Sequence, residues 1–350
     1  MIKMKKKELI INNYKINENS YPYIIAEAGI NHDGDMNKAK QLIDAAAICG
    51  ANAIKFQTHI ANAEMLKEAG REGHIKDETL YELMVRMQLS KEQHIKLRDY
   101  AKNKGILFFS TPYSREAVDL LEEIDVPLFK IGSGELTNYP YLEYVAKKGK
   151  PIIISTGMSK LSEIEKAVKT IKKYNDNFAV LHCTSMYPTP AENVNLKMIQ
   201  KLQKKLDVFI GFSDHTEGIY AALGAVAYGA SILEKHFTIS RQWSGPDQKS
   251  SIEPTELEML VKGARFIKEA LGNGKKIITD EEQHVRNLFS ESIVSLKYIP
   301  KGTIITKDMV WVKRPYNDGI APKHLKSIVG KKTVKDIKED TQLRWEYFDR

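Results

Sequence analysis

The chain has 350 residues, more than one hydrophobic core usually organises, so a large domain and a smaller one are expected. A composition of 42% hydrophobic and 28% charged residues excludes a disordered, collagen-like or low-complexity chain. The 53 basic and 45 acidic side chains leave a net charge of +8, but lysines alternate with acids on helix faces and no basic stripe carries interleaved aromatics, which argues against nucleic acid as a partner.

No apolar stretch approaches the ~18 residues of a membrane-spanning helix. The basic start, residues 1–7, is followed only by Leu9-Ile10-Ile11, too short for a signal-peptide core, so no membrane partner is expected. Cys49 and Cys183 lie in apolar segments. No disulfide framework follows from them, and the expected compartment is the cytoplasm.

In chain order, apolar β-rich runs fall at 23–27, 53–57, 106–110, 128–131, 151–155, 179–183, 208–212 and 231–235. They are continuous rather than alternating, as parallel strands buried on both faces are. Segments of helical periodicity separate them at 38–49, 91–102, 116–123, 162–173, 196–206 and 220–228, and another follows at 254–271. This alternation predicts an α/β fold, a (β/α)8 TIM barrel. The polar, Met-rich stretch 58–89 reads as an insertion over the barrel mouth. After Gly272 the pattern changes to short strand-like segments and turns. The expected organisation is a barrel domain over 1–272, a linker over 273–289 and a small, mostly β domain over 290–350.

Chemistry in such a barrel sits where the strands end. Here the strand ends carry Glu27, Lys55 and Gln57, Thr111, Lys130 and Ser133, Ser155, Ser213 with His215, and Glu234 with His236. Buried Lys and Glu are costly unless paired or functional. Two lysines with several hydroxyls suit a ligand bearing phosphate and carboxylate. His215 and His236 end neighbouring strands, so both rings could meet on one metal such as Mn²⁺ or Co²⁺, or each could be a hydrogen-bonding rim residue. Asp247 could orient a metal-bound water or a substrate hydroxyl, or form a turn. His182, inside a strand, reads as a core histidine.

The segments Ile25-Ala26-Glu27-Ala28-Gly29-Ile30-Asn31-His32-Asp33-Gly34, Lys55-Phe56-Gln57-Thr58, Lys130-Ile131-Gly132-Ser133-Gly134-Glu135, Gly211-Phe212-Ser213-Asp214-His215-Thr216 and Glu234-Lys235-His236-Phe237-Thr238 resemble the sialic acid synthases. Lys313-Arg314-Pro315 resembles the antifreeze-protein-like (SAF) domain that these enzymes carry at the C-terminus. The resemblance implies a transferase that condenses phosphoenolpyruvate with an open-chain N-acetylated amino sugar and releases phosphate. It implies Glu27 as general acid/base and a divalent metal, Mn²⁺ first with Mg²⁺ or Co²⁺ as alternatives, on His215 and His236. Lys55, Thr111, Lys130, Ser133, Ser155 and Ser213 would hold phosphate and carboxylate, and Gln57, Tyr187 and Asp247 the sugar. It further implies a domain-swapped homodimer in which Arg314 reaches the barrel of the other copy.

Ser185 stands where some of these enzymes have Asn, in a region that faces the acceptor. N-acetylmannosamine is the expected acceptor, and a 6-deoxy diacetamido hexose leading to N,N'-diacetyllegionaminate is the alternative. The rival readings are a heptulosonate-type synthase or aldolase acting on a phosphorylated sugar, and a non-catalytic carbohydrate-binding protein.

Overall fold

The computed structural model describes residues 8–71 and 78–349, which divide after Gly272 into two units. The first opens with a hairpin of β1 (Leu9–Ile11) and β2 (Tyr14–Ile16). Eight parallel strands follow: β3 (Tyr23–Gly29), β4 (Ala53–Thr58), β5 (Leu107–Pro112), β6 (Phe129–Ile131), β7 (Ile152–Ser155), β8 (Phe178–Cys183), β9 (Phe209–Asp214) and β10 (Ile232–His236). They pair in that order, and β10 returns to β3 with His236 opposite Glu27, closing the (β/α)8 barrel.

Strand side chains alternate between two faces. The outward set, with Ile24, Ile54, Phe108, Ile154 and Leu233, packs against the helices. The inward set is split along the barrel axis. Near the strand starts it is apolar: Tyr23, Ile25, Ala53, Phe109, Leu128, Ile153, Leu181 and Ile232. Leu9, Ile11 and Ile16 of the hairpin join this cluster and stopper the N-terminal end. Near the strand ends the inward positions are polar, so the two halves of each strand have different tasks.

The predicted helices form with ends moved by one or two residues, for example Met36–Ile48, Lys91–Asn103 and Pro254–Ala270. A helix absent from the sequence reading, Tyr139–Ala146, follows β6. Pro140 sits in its first turn, where no intrahelical N–H is needed, and the Asn138 side chain caps it by accepting from Tyr141 N at 3.2 Å. The insertion at 58–89 contains the helices Ala61–Glu64 and Leu80–Met87, with Ile30, Ala61, Leu83, Met84 and Met87 packed together. Part of that insertion lies outside the described residues. Cys49 and Cys183 are buried free thiols. Among the described residues no helix is long and apolar enough to cross a membrane.

In the second unit β11 (Ser292–Ser295) pairs antiparallel with β12 (Val310–Lys313) over a core that includes Ile293, Ile305, Ile320, Ile337 and Leu343. The stretch read as linker contains a helix, Asp280–Phe289, opened by a capping box between Thr279 and Glu282.

One buried ion pair belongs to the scaffold. Lys235 points outward from β10 and sits 3.3 Å from Asp214 Oδ2, its neighbour on β9, while its ammonium also donates to the Thr216 carbonyl. Neither side chain is exposed. Removing one partner strands a buried charge, which typically costs about 3–5 kcal/mol. Lys235→Met is therefore expected to lower unfolding free energy by that amount in equilibrium urea denaturation. An unchanged midpoint would show that the pair contributes nothing.

Candidate active site

The strand parity that fills the barrel floor with apolar side chains brings Glu27, Lys55, Thr111, Lys130, Ser155, Ser213, Glu234 and His236 inward at the other end. All eight are buried. Lys55 Nζ lies 2.8 Å from Glu27 Oε2 and 3.8 Å from Glu234 Oε2, and donates to Thr111 Oγ1 at 3.0 Å. Lys130 Nζ lies 3.6 Å from Glu234 Oε1 and donates to Ser155 Oγ at 2.6 Å. Ser213 Oγ donates to Glu234 Oε1 at 2.9 Å. Two carboxylates and two ammoniums thus form one connected group, each lysine backed by a hydroxyl.

The two carboxylates are not equivalent. Glu234 stands between both lysines. Burial favours its neutral form, but Lys130 and Lys55 outweigh burial and hold it below the usual carboxylate range. Glu27 has one lysine. Burial raises it, Lys55 offsets part of the rise, and the charge of Glu234 adds to it, so Glu27 sits at about 7. Burial pulls Lys130 below the ordinary lysine value, whereas for Lys55 the pull of burial is outweighed by Glu234 and Glu27, leaving it raised. Within this group of four, the proton most easily exchanged near neutral pH is therefore the one on Glu27.

Gln57 Nε2 donates to Glu27 Oε1 at 3.1 Å. Both atoms and Asp247 border Gly29, whose φ is +52°. A Cβ there would stand 3.4 Å from each of them and 3.3 Å from Asp247 Oδ2. Three polar tips converge on that point, and only glycine leaves it open.

The rings of His215 and His236 lie 5.3 Å apart, centre to centre. His215 Nδ1 lies 2.8 Å from the Thr184 carbonyl oxygen, to which it donates, so Nε2 holds the free lone pair. His236 is held well below the ordinary histidine value by burial first, then by His215 and Lys55. Its buried Nδ1 has no hydrogen-bond partner and lies 3.6 Å from Asp247 Oδ2. A neutral imidazole with an unsatisfied nitrogen beside a second, oriented imidazole fits a divalent cation. Among the described residues no group of three or more His, Cys, Asp or Glu side chains is arranged to hold a metal. A cation here would complete its shell from substrate and water.

Tyr187 packs its ring on His215, with centroids 4.1 Å apart, and is edge-on to His236 at 5.6 Å. Ser133 Oγ accepts from Gly157 N at 3.0 Å and faces Cys183 Sγ at 3.7 Å. Arg314 lies in the second unit, where its guanidinium sits over the Phe289 ring. His182 faces away from the barrel interior and binds the Val194 carbonyl at 2.7 Å, as a core histidine does. The sequence pattern places Glu234 at a strand end and assigns it no role. Its signal is its position two residues before His236, on the same face of β10.

The charge balance predicts a measurable titration. Carboxyl signals of isotope-labelled protein should show Glu27 titrating near pH 7 rather than near 4.5. Lys55→Met removes the cation that favours its ionised form, so the midpoint should rise further, by about one pH unit or more. A midpoint that stays near 4.5 in the unmodified chain would refute this account of Glu27.

A model of the NeuB family matches residues 42–276, and a SAF domain model matches 290–348. An N,N'-diacetyllegionaminic acid synthase from Campylobacter jejuni is 43% identical over 329 residues, covering 92% of this chain and 98% of its own. Human N-acetylneuraminate-9-phosphate synthase is 39% identical over 332 residues, covering 93% and 92% of the two chains. The crystal structure of an N-acetylneuraminic acid synthetase from Leptospira borgpetersenii, in complex with citrate, superposes with a TM-score of 0.72 at 39% identity, covering 80% of this chain and 95% of that one. With a barrel domain matched by one model, a C-terminal domain by the other, and relatives at this identity along nine-tenths of its length, the chain is a member of the NeuB family of sugar-acid synthases.

Proposed function

We propose that the chain condenses phosphoenolpyruvate with the open-chain aldehyde of an N-acetylated amino hexose, forming a nine-carbon 2-keto sugar acid and releasing phosphate. The observation that carries this reading is the pair of buried ammoniums, Lys55 and Lys130, in one connected group with the buried carboxyls of Glu27 and Glu234. Lys55 with Thr111 and Lys130 with Ser155 neutralise and orient the phosphate and carboxylate of the donor, with Ser133 and Ser213 supplying further hydroxyls. An anion bound there adds negative charge next to Glu27 and drives it further toward its protonated form.

The acceptor sits against Tyr187, Gln57 and Asp247. The enol carbon of the donor bonds to the aldehyde carbon, and the aldehyde oxygen becomes a hydroxyl by taking the proton that Glu27 holds. Water adds to the carbon that bears the phosphate, and Glu27, now ionised, takes the proton this water releases. The carbon–oxygen bond to phosphate then breaks, the proton of the new hydroxyl leaves with the phosphate, and that carbon becomes the ketone. A divalent cation on His215 and His236, Mn²⁺ first with Mg²⁺ or Co²⁺ as alternatives, would supply Lewis-acid polarisation of the aldehyde.

The Campylobacter relative, at 43% identity, favours a 6-deoxy diacetamido hexose as acceptor. The Leptospira synthetase, at 39%, supports N-acetylmannosamine as a second reading. Mass spectrometry of products from phosphoenolpyruvate and both sugars, with phosphate release followed in parallel, separates the two. Turnover only with phosphorylated sugars would favour a heptulosonate-type synthase, and sugar binding without phosphate release would overturn the enzymatic reading.

Glu27→Gln keeps the shape and removes proton transfer, and is expected to cut kcat by roughly 10²–10⁴-fold. A chelator should abolish turnover and added Mn²⁺ restore it, whereas full activity of metal-free protein would remove the cation from the mechanism. The domain-swapped homodimer stands as part of the same proposal. Co-expressed His236→Ala and Arg314→Ala chains should recover activity that neither shows alone. No recovery would mean that Arg314 does not act on a second copy.

A further inference from the structure

Between Thr238 and Ile252 the chain leaves the end of β10 and returns to it. Backbone bonds fix the return: Thr238 N donates to the Ile252 carbonyl at 3.0 Å, and Ile252 N to the His236 carbonyl at 2.8 Å. The excursion between them, residues 239–251, lies largely at the surface, with Arg241, Gln242, Ser244, Gly245 and Lys249 exposed. It nevertheless carries Asp247, whose Oδ2 lies 3.6 Å from His236 Nδ1 and borders Gly29. A side chain on such an excursion meets a buried centre in one geometry only if the backbone beneath it is held.

The hold comes from Asn31, a fully buried residue in the loop after β3. Its Nδ2 donates both hydrogens, to the Phe237 carbonyl at 2.9 Å and to Ser251 Oγ at 2.9 Å. Ser251 Oγ donates in turn to the Asp247 carbonyl at 2.7 Å. We propose that Asn31, acting through Ser251, is a positioning residue for acceptor recognition: it fixes the backbone of Asp247 relative to His236. This rests on Asp247 being a group that meets the acceptor.

Donor counting gives every link one direction. The Phe237 carbonyl only accepts, so the Asn31 amide faces it with its NH₂. The Asp247 carbonyl also only accepts, so the single hydrogen of the Ser251 hydroxyl points there, and its oxygen is left to accept from Asn31. No titratable group takes part. Phe237 directly follows His236, so one amide ties the end of β10 to the backbone that carries Asp247. Both Asn31 and Ser251 are buried, and a bond lost there is not replaced by water.

The remaining bonds of the excursion shape it without placing it. Ser250 N donates to the Asp247 carbonyl and Ser251 N to the Gln248 carbonyl, each at 3.2 Å, and Gln248 Nε2 to the Ser244 carbonyl at 3.2 Å. These close the turn on itself. The loop after β3 touches it once more, where Asp33 Oδ2 accepts from Ser244 Oγ at 3.0 Å, but that bond is open to water and holds less. The same loop thus clears the place of the Asp247 carboxyl at Gly29 and holds its backbone at Asn31. Lys55 and Lys130 stand on β4 and β6, away from this link, so its loss falls on the acceptor rather than on phosphoenolpyruvate.

The test compares Ser251→Ala, Asn31→Ala, Asp247→Ala and the double variant Ser251→Ala/Asp247→Ala, using the full chain and the product assay. Ser251→Ala removes one hydroxyl and leaves the bond from Asn31 to Phe237. It should raise the acceptor KM about 3–10-fold, with the KM for phosphoenolpyruvate unchanged. Asn31→Ala should lower kcat/KM for the acceptor roughly 10–100-fold. Where Asp247 is already alanine, adding Ser251→Ala should change nothing further, because the two act as one unit. Amide hydrogen exchange at 247–252 should quicken in Ser251→Ala and Asn31→Ala, without any substrate present.

The inference is overturned if folded Ser251→Ala leaves the acceptor KM where it was, if both KM values rise together, or if Ser251→Ala costs as much beside Asp247→Ala as alone. Should Asn31→Ala fail to fold, Ser251→Ala and the double variant still decide. If Asp247→Ala itself leaves acceptor kinetics unchanged, or no N-acetylated sugar is turned over, the reading of the acceptor site or of the reaction fails instead. The exchange measurement then decides whether Asn31 holds the turn, and unchanged exchange in both variants refutes it.

Discussion

The buried group of Glu27, Lys55, Glu234 and Lys130 is the constraint on which the rest of the site depends. Four formal charges out of water are tolerable only because they cancel and because each has further partners. The cancellation is uneven. Glu234 takes the field of both lysines, and Glu27 is left with one lysine and a like-charged neighbour. One carboxylate thereby serves as fixed counter-charge, and the other becomes responsive to whatever anion enters. A symmetric arrangement would have held both ionised and left no proton to exchange near pH 7.

Such a cluster needs a floor. A barrel open at both ends would let water reach the lysines from below and screen the interactions that set these protonation states. The apolar inward layer and the hairpin residues Leu9, Ile11 and Ile16 seal that end. The division of each strand into an apolar first half and a polar second half is thus a requirement of the chemistry as well as of packing. Lys235 shows the contrast: one residue from Glu234 but on the opposite face, it meets Asp214 among the helices and plays a structural part.

Much of this was legible in the sequence because buried parallel strands interrupted by ionisable residues are hard to read any other way. The barrel, its strand order and the gathering of Glu27, Lys55, Lys130, His215 and His236 at one end follow from where those residues stand in apolar runs. Less legible was what depends on pairing. In the sequence Glu234 is one more strand residue, and only its closeness to Lys55 and Lys130 sets it apart. The helix Tyr139–Ala146 was hidden because Pro140 reads as a breaker unless its place in the first turn is recognised. The helix Asp280–Phe289 was hidden by the glycines before it, although Thr279 and Glu282 spell its capping box. His59 and Glu64 fall in a polar insertion with no periodicity to mark them.

That last omission has a physical cause. Residues in direct contact with a substrate must carry a distinctive chemistry at a distinctive place, so they stand out at the ends of strands. A residue that acts through another needs only a donor or acceptor at the right distance, and many side chains in many loops could provide it. What distinguishes His59 is that its two ring nitrogens and one amide link the carboxyls at both ends of a buried row. Each link is an ordinary hydrogen bond, and only the row as a whole ties the loop to Glu27. Glu27 is therefore held from two sides, by charge from the lysines within the barrel and by the Gln57 amide that the loop beyond β4 supports. The second can be altered without touching the groups proposed to hold phosphate.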